Sequence, residues 1–119
     1  MTISYWPRRP RFPVIIDTGR KVFGARTSAQ CSKLIERAAI PEGEMAIPII
    51  DASAEGFAYY PNNKVVSVLA VKKRWTKSEI IEVYNSRRRP GLPEYAPRSL
   101  GNRPVERIVF EIVHLLNEP

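Results

Sequence analysis

The chain reads as one small α+β domain, with a largely antiparallel sheet of three to four strands packed against about three helices. Three observations predict this class. The 119 residues are enough for one domain to bury a core without disulfides or a metal. Short runs rich in β-branched and aromatic residues alternate with Pro, Gly and Asn turns. Three longer segments carry the helical apolar period, each bounded by helix-start or helix-stop residues.

Residues 55–89 carry the strongest signals. Phe57 and Tyr59 on one side, and Val65, Val66, Val68, Leu69 and Val71 on the other, flank Pro61-Asn62-Asn63. The spacing predicts a hairpin with strands near 56–60 and 64–71. Directly after it, Thr76-Lys77-Ser78-Glu79 has the spacing of a capping box, with Trp75 and Ile80 placed as a hydrophobic staple. A helix over 77–88 gathers Ile80, Val83 and Tyr84 on one face. Arg87, Arg88 and Arg89 then complement its C-terminal dipole before Pro90-Gly91 ends it.

Upstream, residues 1–11 form a basic, Pro-rich arm, and 12–119 form the domain. Pro7, Pro10 and Pro13 recur every third residue, which suits an extended polyproline-type helix carrying Arg8, Arg9 and Arg11, or a loose tail. A strand near 13–17 runs into a Thr18-Gly19 turn, with Lys21-Val22-Phe23 as a candidate short return strand. Asp17-Thr18-Gly19 spells the aspartic-protease tripeptide, but Arg20 follows where a small residue is expected and no second half of the signature occurs, so a strand end and turn account for it. Cys31, Leu34, Ile35 and Ala38 make the apolar stripe of a helix over 28–40, opened by Thr27 and Gln30 at capping-box spacing. This puts Cys31 in the core as a small hydrophobe. In a strand over 45–50, Pro48 lacks a ladder donor, which predicts a sheet edge or a bulge. Downstream, a long basic loop at 87–103 shows no periodicity, a length expected of functional or disordered loops. A last helix over 104–117 carries Val105, Ile108, Val109, Ile112, Leu115 and Leu116 as a wide stripe, with His114 opposite.

The formal charge is +7 and unevenly spread, with Lys/Arg concentrated before residue 27 and between 72 and 107 around a more acidic middle. Clustered cations favour a nucleic acid or another polyanion, whose binding releases counterions. One histidine and one cysteine cannot build a Cys/His zinc site within one chain, no glycine-rich phosphate loop is present, and no cofactor is implied. The N-terminus matches neither a signal peptide nor a membrane span, and the expected location is cytoplasmic, with no membrane partner.

The leading reading is therefore a non-enzymatic module that binds nucleic acid or another polyanion through Lys72, Lys73, Arg74, Arg87, Arg88, Arg89, Tyr95, Arg98 and Arg103, the ring stacking on a base and the cations meeting phosphates. The alternative is a protein-interaction or regulatory subunit, a homodimer or adaptor, motivated by the last helix stripe and the Pro-bearing edge strand. Third comes a metal-dependent enzyme using Asp17 and Asp51, should neighbouring strand ends bring them together.

Overall fold

Apolar runs bounded by tight turns pair into the centre of the fold, and the helices close over both faces. The computed structural model describes residues 3–41, 43, 45–69, 71–96 and 101–117. The elements are β1 (Ser4–Tyr5), β2 (Val14–Asp17), β3 (Val22–Ala25), α1 (Ser28–Ala38), β4 (Ile47–Ile50), β5 (Gly56–Tyr60), β6 (Val65–Val68), α2 (Lys77–Arg87) and α3 (Val105–Leu116). The strands form one mixed sheet in the order β1-β6-β5-β4-β2-β3. Only the β1–β6 pair is parallel.

Strand alternation divides the apolar side chains into two layers. Val14, Ile16, Ile49, Phe57 and Tyr59 pack with Cys31 and Ile35 of α1. Ile15 and Ile50 face the other way, against Ile80, Val83 and Tyr84 of α2 and Ile108, Val109, Ile112 and Val113 of α3. Each fully buried Ile or Val contributes about 1.5–3 kcal/mol of burial free energy, so sheet and helices hold one another in place.

Helix starts follow the capping chemistry. Thr76 N–H donates to Glu79 Oε1 at 2.9 Å and Glu79 N–H to Thr76 Oγ1 at 3.2 Å, the reciprocal box that the spacing predicts. At α1 only half of it forms. Gln30 N–H donates to Thr27 Oγ1, but the Gln30 side chain accepts from Arg26 N–H at 2.7 Å and donates to Asn117 Oδ1 at 2.7 Å. Asn117 Nδ2 in turn donates to Gly24 O at 3.1 Å. Helices on opposite faces thereby meet around the β3 edge and cover it. Gly24 suits this close approach, because a Cβ would stand 3.0 Å from Val113 Cα and α3 would have to give by a few tenths of an ångström.

The sheet is larger than the three to four strands predicted. β1 is two residues within the arm, which neither length nor composition announces, and the short return strand expected at Lys21-Val22-Phe23 is β3, which runs to Ala25 and pairs antiparallel with β2. Pro48 corrects a second expectation, since β4 lies between β5 and β2 rather than at an edge. The closing bonds Thr18 N–H to Lys21 O and Asp51 N–H to Glu55 O set the ladder alternation. It turns Pro48 N toward β2, where pairing stops at Ile16–Ile49. The β2–β4 ladder therefore ends where the donor is missing.

Candidate nucleic-acid interface

The N-terminal arm, from residue 3 onward, is built into the domain. Ser4 N–H donates to Lys64 O and Trp6 N–H to Val66 O, both at 3.1 Å. Further along, Asp51 anchors it. This carboxylate is fully buried; Oδ2 accepts Arg11 N–H at 3.0 Å, and Oδ1 accepts Ser53 N–H, Ser53 Oγ–H and Glu55 N–H at 2.7–2.9 Å. Ala52 N–H returns a bond to Arg11 O at 2.8 Å. Four donors balance the cost of burying the charge, and they fix the end of the arm beside the end of β4.

The segment after β6 is fastened to the same edge. Gly56 N–H donates to Lys73 O at 2.9 Å, Leu69 N–H to Gly56 O at 3.0 Å and Trp75 N–H to Ala54 O at 2.8 Å. A Cβ on Gly56 would lie 1.9 Å from Lys72 O, so only glycine permits this approach. As a result Arg8, Lys73 and Arg74 line one concavity of about 480 Å³ with Glu55, Val68 and Leu69. Arg8 pairs with Glu55 and its guanidinium stands 5.1 Å over the Phe57 ring. Trp6, two residues upstream, is 69% exposed. Three cations and one carboxylate thus share a concavity that no single stretch of sequence contains, and the backbone of Trp6 is bonded to the adjoining strand β6.

The remaining candidates from the sequence lie elsewhere. Lys72 Nζ donates to Glu79 Oε2 at 2.6 Å and caps the Trp75 ring at 4.8 Å; this hydrogen bond, with those from Thr76, pulls the Glu79 carboxyl down to about 2. Arg87 Nε meets Asp17 Oδ1 at 3.3 Å and donates to Gly19 O at 3.1 Å, tying α2 to the β2–β3 turn. Arg88 donates to Leu92 O and Asn85 O, and Arg89 to Leu116 O. Tyr95 O–H donates to Glu111 Oε1 at 2.5 Å, and Arg103 Nη1 to the same oxygen at 2.6 Å. Burial first, then this carboxylate, pushes the Tyr95 phenol up to about 12, while the Tyr95 bond first and Arg103 next hold Glu111 below its ordinary range. Arg98 lies outside the described residues. Among the described residues the predicted cluster is therefore divided: Lys73 and Arg74 sit at the sheet edge, and Lys72, Arg87, Arg88, Arg89, Tyr95 and Arg103 brace α2, α3 and their loops.

Asp17 and Asp51 do not share a site. Ile15 pairs with Ile50 in antiparallel register, so Asp51 follows the strand end beside Val14 while Asp17 stands about three residues away along the ladder, roughly 10 Å. Among the described residues no group of three His, Cys, Asp or Glu side chains is arranged to hold a metal ion. Cys31 is fully buried, and burial pushes its thiol up to about 11, the opposite of a nucleophile's setting. The apolar stripe of α3 is buried against the sheet and α2, and β4 is internal, so both features that motivated a protein partner are used within the fold. Among the described residues no helix is long and apolar enough to cross a membrane.

The sequence reading omitted Arg8 and Trp6 from the site. Their signal was the basic arm with its aromatic, read as a separate segment because its pairing with β6 is set by tertiary contacts. Neither a protein-family model, nor a curated protein, nor a solved structure matches this chain.

Proposed function

We propose that the chain is a non-enzymatic module that binds single-stranded nucleic acid along the edge formed by Trp6, Arg8, Lys73 and Arg74. The observation that carries the reading is the convergence of two basic segments, more than sixty residues apart in sequence, on one concavity; the exposed Trp6, bonded through its backbone to the adjoining strand β6, is the aromatic we assign to it. An indole stacks on an unpaired base of any identity, and the flanking cations meet the phosphates on either side. Arg8 already faces Glu55, so the net attraction comes chiefly from Lys73 and Arg74.

The test is binding of labelled single-stranded RNA, single-stranded DNA and duplex DNA across a salt series, with heparin as the polyanion control. Two to three neutralised phosphates give log K a slope of about −1.4 to −2.1 against log salt for single strands. Binding that prefers single strands over duplex and heparin, and weakens with Trp6→Ala, supports the reading. Equal binding of all four polyanions, lost with modest salt and indifferent to Trp6, contradicts it.

A second reading, a protein-docking module, draws on Phe110, which is 63% exposed on the outer side of α3 between Arg107 and His114. Sedimentation of wild type and Phe110→Ser separates it: self-association lost in the variant favours docking, and an unchanged monomer removes its support.

A further inference from the structure

The opposite edge of the sheet holds a second cationic surface of different construction. Arg20 and Lys21 from the β2–β3 turn, and Arg37 from the last turn of α1, rim a groove of about 830 Å³ whose floor includes Phe23, Leu34 and Ile47. The three cations are exposed and the floor side chains are half-buried. Among the described residues none of these cations is in an ion pair.

We infer that this groove binds a monomeric single-chain amphiphile with an anionic head group, the aliphatic chain lying on the floor and the carboxylate, sulfate or phosphate meeting the rim. The floor offers mostly aliphatic side chains, so it rewards an alkyl chain by area covered. A peptide would bring backbone N–H and C=O groups for which those side chains supply no partners. Three uncommitted cations select the sign of the head group. A groove between helix and sheet accepts a chain withdrawn from a bilayer, which distinguishes a free amphiphile from a membrane surface. The site shares no residue with the proposed nucleic-acid edge and stands independently of it.

The experiment is an NMR titration of the full chain with dodecanoate below its micellar concentration. Dodecyltrimethylammonium is the head-group control, and vesicles of mixed neutral and anionic phospholipid are the membrane control. The expected result is saturable one-to-one binding of dodecanoate, with amide shifts centred on Phe23, Leu34 and Ile47. Arg20→Gln and Arg37→Gln, both at exposed positions, each weaken it about fivefold, the size expected of a partly exposed charge pair. Lys73→Gln/Arg74→Gln leaves it unchanged, and the cationic amphiphile binds at least tenfold more weakly. The inference is overturned by absent binding, by equal affinity for the two head groups, by shifts centred elsewhere, by indifference to both arginine variants, or by binding to vesicles alone.

Discussion

Where α2 and α3 meet the sheet, Lys72, Arg87 and Arg103 face Glu79, Asp17 and Glu111 at 2.6–3.3 Å. At the two sheet edges the cations are arranged differently. Lys73 and Arg74 share a concavity with a single carboxylate that Arg8 already engages, and Arg20, Lys21 and Arg37 stand over an apolar floor. In sequence the first group looks the more promising, because it is denser. In space its charge is neutralised locally and its guanidinium groups serve as braces. Availability of charge, not its density along the chain, separates a binding surface from a structural one.

That contrast predicts a graded series of effects. The largest belongs to Asp51→Ala, which leaves three part-buried backbone donors without their acceptor and releases the arm. A stability loss of about 3 kcal/mol is expected in urea unfolding, together with loss of oligonucleotide binding in whatever fraction remains folded. Gly56→Ala follows at about 2–3 kcal/mol, since its Cβ has no room beside Lys72 O and the backbone must shift. If it also displaces Lys73 and Arg74, binding falls further than stability does; parallel losses would mean that Gly56 serves packing only.

Braces should give intermediate effects. Arg87→Ala removes the partner of a carboxylate that is nearly buried and a bond to Gly19 O, and about 1–2 kcal/mol is expected. Acid should weaken the braces built on Glu79 and Glu111. Glu79 is held at about 2 in the folded protein against an ordinary 4.5, and Glu111 is lowered too. The contribution of Glu79 is complete above pH 4.5 and disappears as pH falls toward 2, and that of Glu111 fades in the same direction. Urea midpoints should therefore decline across that window, less steeply in Glu79→Gln; identical declines in wild type and variant would refute the assignment. The smallest effects belong to the groove, where Arg20→Gln and Arg37→Gln are expected to change stability by less than about 0.5 kcal/mol.

Much of the frame was legible because local chemistry decides it. Thr76 and Glu79 fix the start of α2, Ile80, Val83 and Tyr84 fix its buried face, and Cys31 falls on the core side of α1. What stayed hidden depends on partners distant in sequence. β1 exists only because Val65 and Val66 lie beside it, and Pro48 reads as an edge residue unless the end of the β2 ladder is known. The same limit governs the site. Nothing local in Lys72-Lys73-Arg74 tells that the first turns inward to Glu79 while the next two line a concavity with Arg8. Glu111 gathers Tyr95, Arg103 and Arg107 from positions 4 to 16 residues away, which only the fold reveals.

The most direct test compares Lys73→Glu/Arg74→Glu with Arg87→Gln/Arg103→Gln for binding of a single-stranded oligonucleotide by fluorescence anisotropy at fixed salt, after both variants are shown to be folded by circular dichroism. The account predicts at least a tenfold loss for the edge pair and less than a threefold change for the braced pair. Equal losses, or a larger loss for the braced pair, would contradict the claim that the edge beside Trp6 is the binding surface.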